Sequence, residues 1–245
     1  MTGVRLLVPA LISLMGAVTH AQEFIIGVED LDYFPYYSSS NGQFLDSPSK
    51  QLLDRFARQN GYTFVYTPLP VARLTQAFID AELDFKFPDS PDWAQEAKSG
   101  LEIHYSDPIF HYTDGVMVIP DRLHQGLDSF KALGTVRGFT PWSFASLISQ
   151  GHVQMQETSS LESVVLQALY QRVDGAYFNI AVANWFLTHR LEQPDSLVFD
   201  ITLPHASGHY TLSSIQHPEI ISQFNDFLLN EARWIDELQP APQYE

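Results

Sequence analysis

The sequence predicts an α/β fold made of two successive units, and three observations support this prediction. Short apolar runs typical of buried strands alternate with segments whose apolar residues recur at helical spacing. This alternation starts again after residue 115, and no Pro/Gly/Ser-rich linker separates the two series. Strands that alternate with helices favour parallel sheets covered by helices. Two such units side by side would leave a cleft, where small ligands usually bind.

The first unit opens with the apolar run 24–28, which is predicted to be a buried strand. Ser47 and Pro48 combine an N-cap with a proline at the first helical position, and Gly61 marks the end of that helix. The other elements predicted here are a loop at 33–37, a strand at 62–66, a helix at 71–81, a strand at 84–87 and irregular polar chain at 88–104.

The second unit repeats these signals. Thr140 and Pro141 predict a helix that runs to Gln150, and Ser159 with Glu162 fits a capping box for a helix through Leu169. Strands are predicted at 116–119, 135–138, 173–178 and 197–203, a helix at 179–190, and a final helix at 218–238 that returns to the first unit.

The N-terminus has the three regions of a secretory signal peptide. Residues 1–5 carry one positive charge, residues 6–18 are almost wholly apolar, and small residues stand at Thr19 and Ala21, where signal peptidase reads. This apolar stretch is shorter than the roughly 20 residues that span a bilayer as a helix. We expect an exported, periplasmic chain that is cleaved near Ala21 and begins near Gln22; an uncleaved anchor is the alternative.

Composition excludes several classes of function. Residues 1–21 contain one Arg and no acid, so the remaining chain has 12 Lys+Arg against 29 Asp+Glu, a formal net charge of −17. Such a charge repels phosphate backbones, which argues against a nucleic-acid partner. The chain has no Cys, and the spacing of its 9 His resembles no metal-ligand set, so we expect no metal and no cofactor.

Several segments in this order resemble the family 3 periplasmic solute-binding proteins, the binding components of amino-acid-type ABC transporters. The resemblance covers nearly all of residues 23–240. It is carried by 25–28 with the aromatic-Pro loop 33–37, the helix 51–61, Tyr105-Ser106-Asp107-Pro108-Ile109, 127–130 with 136–138, and Gln171-Arg172-Val173-Asp174-Gly175-Ala176.

The resemblance implies a type II periplasmic-binding fold, with two Rossmann-like lobes joined by two crossing strands. Carried over, lobe 1 comprises 22–115 plus 206–245 and lobe 2 comprises 116–205. It also implies that a monomer closes its lobes around a small solute and then docks to a membrane permease, or that it reports to a membrane sensor. A catalytic cleft on the same fold, as in cyclohexadienyl dehydratases, is the enzymatic alternative.

Four candidate ligand-binding residues follow from element ends. Asp30 and Tyr33 come just after the first strand, where ligands bind in open α/β sheets, and are suited to an ammonium and an apolar or cationic group. Thr140 begins a predicted helix whose free N–H groups would attract an anion, and Trp142 follows it. Solvated loop charges, an ordinary N-cap and core packing are the structural alternatives.

Five further candidates are less regular. Lys86 interrupts an aromatic strand, and Asp89 and Trp93 follow it at the expected edge of the cleft; Arg73 begins a helix near the same edge. A paired lysine and a solvated helix face are the alternatives for Lys86 and Arg73. Asn179 stands where the resemblance implies an acid for the α-ammonium of an amino acid.

Two departures from the family affect the expected ligand. Ser99 stands where members that bind α-amino acids have an Arg, and a hydroxyl does not replace a bidentate Arg–carboxylate pair. Lys98 is adjacent but is expected to point elsewhere. With Asn179 neutral as well, a standard α-amino acid is not assumed, and the solute is described as an amino acid or related polar compound.

Overall fold

The computed structural model describes residues 21–240 and shows a mixed α/β fold with two main sheets. The predicted signal peptide, apart from Ala21, lies outside the described residues. The first elements are β1 (Gln22–Glu29), β2 (Asp32–Tyr33), β3 (Tyr37–Ser40), β4 (Gln43–Phe44), α1 (Pro48–Asn60), β5 (Tyr62–Leu69), α2 (Val71–Ile79), β6 (Phe85–Asp89) and β7 (His104–Tyr105). Next come β8 (His111–Val118), β9 (Ala132–Val136), α3 (Ala145–Ser149), β10 (Gln154–Thr158), α4 (Leu161–Leu169), β11 (Gly175–Asn179), α5 (Ile180–His189), β12 (Val198–Phe199) and β13 (Ala206–His209). The last described elements are β14 (Thr211–Ser214), α6 (Pro218–Asn230) and α7 (Ala232–Leu238).

The first main sheet has the strand order β5-β1-β6-β14-β7. Strand β1 is parallel to β5 and β6, whereas β14 is antiparallel to β6 and β7. Alternate residues of β1, such as Phe24, Ile26 and Val28, are buried. Because β1 and β6 run in the same direction, their last residues, Glu29 and Asp89, lie at the same edge of the sheet.

The second main sheet has the order β10-β9-β11-β8-β12, with β13 also paired to β8. Strands β10, β9 and β11 are parallel, and β8 is antiparallel to β11, β12 and β13. The register places Asp114 of β8 opposite Asn179 of β11 and Ala206 of β13. Asp114 therefore lies near the middle of β8, the strand of the second sheet that directly follows the first crossing from the first sheet.

The chain crosses between the sheets twice, before β8 and after β13. The two crossings are hydrogen-bonded to each other: Ile109 N donates to Tyr210 O at 3.0 Å, and Tyr210 N donates to Phe110 O at 2.9 Å. This confirms the predicted pair of crossing strands. The sheets change at 106–110 and at Tyr210, so the expected lobe boundary at residue 115 falls inside β8.

The helix signals of the first unit are confirmed. Ser47 Oγ accepts a hydrogen bond from Lys50 N at 3.4 Å, and Gly61 ends α1 in the left-handed conformation with φ 69°. The final helix returns to this unit as expected, because Phe224 of α6 packs edge-on against Phe56 of α1 at a ring distance of 5.0 Å.

Three predicted helices differ from the structure. The helix expected from Thr140 to Gln150 is a 3₁₀ turn at Trp142–Phe144 followed by the short α3. The Thr140 carbonyl accepts from Trp142 N at 2.8 Å and no side chain caps this turn, so the prediction of an N-cap was wrong. Ser160, rather than Ser159, caps α4. The helix expected over 218–238 is divided into α6 and α7 at Glu231.

Several strands also differ in extent. The strand expected at 116–119 begins at His111, that expected at 135–138 lies at Ala132–Val136, and the strand expected over 197–203 is only Val198–Phe199. Strand β10 was not predicted, because it is a largely exposed, polar strand at the end of the sheet order and lacks an apolar signal. The loop expected at 33–37 contains the end of β2 and the start of β3.

Candidate ligand-binding site

A cavity lies between the two sheets and is lined by residues from both. Its empty space is about 560 Å³, including the part that opens to solvent. Glu29, Tyr33, Tyr37, Lys86 and Trp93 line it from the first unit. Asp114, Gly138, Phe139, Thr140 and Tyr177 line it from the second, and Tyr210 lines it from the second crossing. Ligands commonly bind at such an edge of a parallel sheet.

Glu29 is the last residue of β1, and its side chain is almost fully buried against the cavity. The Tyr37 hydroxyl donates a short hydrogen bond to Glu29 Oε2. Burial raises the pKa of Glu29 to about 7, although the Tyr37 hydrogen bond and the charge of Lys86 act in the opposite direction. This carboxyl group therefore exists in both protonation states near neutral pH.

Asp114 is the second acid in the cavity. It is half-buried, and burial together with the charge of Glu29 raises its pKa to about 7. Within residues 21–240, no hydrogen-bond donor or cation contacts its carboxylate. A carboxylate that lines a cavity and has no partner in the protein can bind a cationic ligand.

Aromatic rings form the remaining wall of the cavity. Tyr33 and Tyr37 are stacked with ring centroids 5.0 Å apart, and Phe139 meets Tyr33 edge-on at 5.8 Å. Trp93 and Tyr210 form a second edge-on pair at 5.9 Å. Rings packed in this way are held rigidly, and their faces can attract a cation in a desolvated site.

A buried ion cluster supports the cavity from behind. Asp89 Oδ1 accepts hydrogen bonds from Lys86 Nζ and Lys98 Nζ, each at 2.7 Å, and Asp89 Oδ2 accepts one from Ser213 Oγ at 2.7 Å. The two ammonium groups lower the pKa of Asp89 despite its burial. Lys86 Nζ also lies 5.8 Å from the centre of the Trp93 ring. The cluster fixes Lys86 and Asp89 in one arrangement.

Direct contacts join the two units around the cavity. Arg190 donates to Asp32 Oδ2 from Nε at 3.1 Å and from Nη2 at 2.5 Å. Asn179 N donates to the Tyr33 hydroxyl at 3.2 Å. Phe34 stacks on Trp185 at a ring distance of 5.2 Å. These contacts are polar or aromatic.

Gly138 is a further contact between the units. It has φ +92°, and a Cβ at this position would lie 2.7 Å from the backbone N of Ala72 in α2. A residue with a side chain would therefore be strained and would also push the two units apart.

The structure brings four of the nine predicted residues together in the cavity lining: Tyr33, Lys86, Trp93 and Thr140. Ligand contact at each of them stays a prediction.

Asp89 and Asn179 are completely buried next to the cavity and contact its walls without lining it. Asn179 Oδ1 caps α5 by accepting from Ala181 N and Val182 N, and its Nδ2 donates to the Tyr210 hydroxyl at 3.0 Å. Asn179 therefore acts as a helix cap that also orients Tyr210.

The other three predicted residues lie outside this lining. Asp30 is exposed and lines a neighbouring cavity together with Asp32 and Arg190. Arg73 is exposed on α2. Trp142 is 39% exposed and lines an adjacent, more open groove that shares Phe139 and Thr140 with the cavity.

The structure also shows where Ser99, which differs from the family pattern, and its neighbour Lys98 lie relative to the cavity. Ser99 is exposed and does not line the cavity. Lys98 is not part of the cavity lining, and its Nζ is bound to Asp89 and to Ser90 O at 2.9 Å. No arginine among residues 21–240 lines the cavity.

The sequence did not single out Glu29, Asp114, Tyr177, Tyr210 or Phe139. Glu29 immediately precedes Asp30, and choosing between them required knowing which face of β1 turns toward the cavity. Asp114 lies two residues before the strand expected at 116–119, whereas the structure includes it in β8. The other three are aromatic residues that sequence alone does not distinguish from core residues.

Among the described residues, no helix is long and apolar enough to cross a membrane. Within residues 21–240, no group of three or more His, Asp or Glu side chains is arranged to hold a metal ion.

Comparison with known proteins places the fold. No protein-family model matches the chain, and no curated protein sequence matches it. Among solved structures, the GluR0 ligand-binding core in complex with L-glutamate is similar, with a TM-score of 0.71 and 17% identity over 89% of this chain and 96% of the other. The arginine-, lysine-, histidine-binding protein ArtJ from Geobacillus stearothermophilus is similar with a TM-score of 0.68 and 18% identity over 89% of this chain and 93% of the other. The ancestral amino-acid-binding protein AncCDT-1, a precursor of cyclohexadienyl dehydratase, has a TM-score of 0.68 and 16% identity over 88% of this chain and 95% of the other. The chain therefore has the type II periplasmic-binding fold predicted from its sequence.

Proposed function

We propose that this chain is an exported solute-binding protein that captures a small polar solute by closing two lobes around it. The observation that carries the proposal is the cavity whose walls come from both sheets, with Glu29 and Lys86 on one side and Asp114 on the other. A solute that touches both walls favours the closed arrangement, because it binds that state better than an open one.

The contacts between the lobes support closure as the mechanism. The Arg190–Asp32 pair is half-exposed, and the Phe34–Trp185 stack joins single rings from each lobe. Exposed ion pairs of this kind contribute about 0–1 kcal/mol, so they do not lock the lobes together. The hydrogen-bonded crossings at Ile109 and Tyr210 are the natural hinge, because within residues 21–240 they are the two places where the chain passes from one sheet to the other.

The lobes expected from the resemblance are 22–115 with 206–245, and 116–205. We place the hinge at the sheet changes at 106–110 and Tyr210, so that 111–115 and 206–209, which are strands of the second sheet, move with the second lobe. We place the chain in the periplasm after cleavage near Ala21 and treat it as a monomer. The resemblance to ABC-transporter binding proteins favours uptake through a membrane permease; a solute sensor that reports to a membrane signalling protein is the alternative partner relationship.

A cleft enzyme is the second candidate function. Glu29 and Asp114 are acids whose pKa is raised to about 7, which suits proton transfer near neutral pH. Asp30 and Asp89 suit this role less. Asp30 lies outside the cavity, and two lysines hold Asp89 ionised. The test is to incubate the protein with a prephenate-like compound and to monitor the compound by chromatography. Its disappearance would favour the enzyme over the binding protein.

Small-angle X-ray scattering during a solute screen tests the proposed function. The mature chain would be screened by thermal shift against amino acids, polyamines, organic acids and small peptides. A solute at 100 times its Kd stabilises a protein by about 2.7 kcal/mol. We expect a stabilising solute also to reduce the radius of gyration. Stabilisation by none of the classes, with an unchanged radius of gyration, would contradict the proposal.

A further inference from the structure

The charges that line the cavity do not balance. Three lining residues carry a carboxyl or an ammonium group: Glu29, Asp114 and Lys86. Asp89 and Lys98 lie directly behind Lys86. With all five groups ionised, three carboxylates face two ammonium groups, so one negative charge lacks a partner. A buried charge without a partner is unfavourable, and the site is completed by one additional positive charge.

The two lysines are not available to supply that charge. Lys86 Nζ donates to Asp89 Oδ1 at 2.7 Å and to Pro88 O at 3.2 Å. Lys98 Nζ donates to the same Asp89 oxygen and to Ser90 O. These hydrogen bonds hold both ammonium groups at Asp89, although the Lys86 side chain also lines the cavity. The Asp114 carboxylate, by contrast, has no hydrogen-bond or ion-pair partner within residues 21–240.

The aromatic wall is suited to the same kind of group. The faces of Tyr33 and Tyr37 lie in a stack beside Glu29, to which Tyr37 also donates a hydrogen bond. Trp93 and Tyr210 line the cavity as a further ring pair. Carboxylates combined with ring faces attract an organic cation more than they attract a metal ion, because the rings supply no lone-pair ligands.

Among the described residues, the lining offers no unpaired cationic side chain to a carboxylate. No arginine of the described chain lines the cavity, and Lys86 is held by Asp89. The predicted helix start at Thr140 is a 3₁₀ turn in which the Trp142 N–H is bonded to Thr140 O. A ligand carboxylate would therefore lie beside the carboxylates of Glu29 and Asp114, and the ammonium of Lys86 that could offset this repulsion is already bound to Asp89.

We propose that the solute is a small organic cation without a carboxylate, and that its positively charged nitrogen binds between Glu29 and Asp114. This proposal rests on the solute-binding function and specifies the ligand class for that same cavity. The protonation behaviour of the two acids agrees with it, since a proton balances the charge of the pair when no other cation is present.

Matched ligand pairs test this proposal by isothermal titration calorimetry on the mature chain. The pairs are choline and glycine betaine, phenethylamine and L-phenylalanine, and agmatine and L-arginine, which keep the cation and differ in the carboxylate. We expect at least one carboxylate-free cation to bind at least tenfold more tightly than its partner. A carboxylate-bearing partner that binds as tightly as the cation in every pair would overturn the proposal.

Two variants locate the binding site. Asp114→Asn keeps the shape of the side chain and removes its charge, so we expect it to weaken cation binding at least tenfold. Asp128→Asn removes the same charge from an exposed position of the second lobe and should leave the affinity unchanged. Glu29→Gln removes the other carboxylate of the cavity, so we expect it, like Asp114→Asn, to weaken cation binding at least tenfold. Circular dichroism of each variant establishes that it is folded, and unchanged affinity in folded Asp114→Asn and Glu29→Gln contradicts the assignment.

Proton release gives a readout that needs no variant. Calorimetry in buffers of different ionisation enthalpy at pH 7 should detect release of about 0.5–1 proton per bound cation, because binding displaces protons from the two acids. Binding with no proton release contradicts a nitrogen placed between Glu29 and Asp114.

The screen distinguishes failure of this proposal from failure of the proposed function. If anionic or neutral solutes bind and close the lobes while cations do not, the proposed function stands and the cationic ligand is refuted. If no class of solute binds or closes the lobes, both are refuted.

Discussion

Lys86 Nζ lies 2.7 Å from Asp89 Oδ1, and both side chains are almost completely buried, at 4% and 0% exposure. Because Asp89 also binds Lys98 and Ser213, removal of one ammonium leaves a buried carboxylate that is only partly compensated. Breaking a buried pair typically costs about 3–5 kcal/mol. We expect Lys86→Ala to lower the free energy of unfolding by roughly 2–4 kcal/mol, measured by urea denaturation.

The matched control for this variant is Lys50→Ala. Lys50 forms an i,i+4 pair with Asp54 at 2.6 Å, but the two side chains are 27% and 30% exposed. A pair of this kind contributes about 0.5 kcal/mol. Equal losses of stability in the two variants would show that the Lys86–Asp89 pair is no more important than a surface pair.

Gly138→Ala should oppose lobe closure. The added Cβ would lie 2.7 Å from Ala72 N in the opposite lobe, so the closed state becomes less favourable than the open one. We expect the affinity for the captured solute to fall at least tenfold. Gly151→Ala is the control, because Gly151 has φ +72° and nothing within 4 Å of the new Cβ. It imposes the same kind of backbone strain without the clash, and its affinity should match that of the unmodified protein. Equal affinities for the two alanine variants would refute the role of Gly138.

The stability of the solute-free protein should decrease as the pH rises through about 7. The folded pKa of Glu29 is raised from 4.5 to about 7, so its neutral form is favoured by folding. Stability from such a group is complete below its unfolded pKa and is lost as the pH rises through its folded pKa, by roughly 3 kcal/mol at most for Glu29. Asp114 acts in the same direction. Thermal unfolding between pH 5 and pH 9 measures the effect.

The double variant Glu29→Gln/Asp114→Asn serves as the control for this pH dependence. It retains two neutral polar side chains in the cavity and removes both titrating groups. Its melting temperature should vary less with pH over this range than that of the unmodified protein or of Asp128→Asn. An unchanged pH profile in the double variant would mean that other groups cause the effect.

The exported protein should begin near Gln22. The three-region pattern of residues 1–21 predicts cleavage after Ala21. Mass spectrometry of the protein from the periplasmic fraction of an expressing bacterium should show the mass of the full chain minus the mass of residues 1–21. A full-length mass in the membrane fraction would instead support an uncleaved anchor.

The overall fold could be predicted because its signals are local. Ser47, Pro48 and Gly61 mark the ends of α1 within one segment of sequence, and the apolar spacing of β1 is complete within a few residues. The helix expected from Thr140 was wrong at its start, because the chain first forms a 3₁₀ turn at Trp142–Phe144 and only then the five-residue α3.

The site was less predictable because it depends on long-range pairing. Asp114 enters the cavity only because β8 pairs with β11 and β13, which come more than 60 residues later in the chain. Lys86 could be recognised as unusual from its aromatic neighbours. Lys98, which binds the same Asp89 oxygen, could not be recognised, because the irregular segment between Lys86 and Lys98 gives no periodicity from which a direction follows.

The most direct test of the account measures the distance between one label on each lobe. The chain has no Cys, so Tyr170→Cys and Leu229→Cys, at positions 69% and 79% exposed, can carry two nitroxides without background labelling. The probe is whichever of choline, phenethylamine and agmatine binds most tightly. We predict that this cation shifts the distances to a narrower distribution in the labelled protein, and that the same concentration has no such effect when Asp114→Asn is added. An unchanged distribution at a cation concentration that calorimetry shows to be saturating would contradict capture by lobe closure.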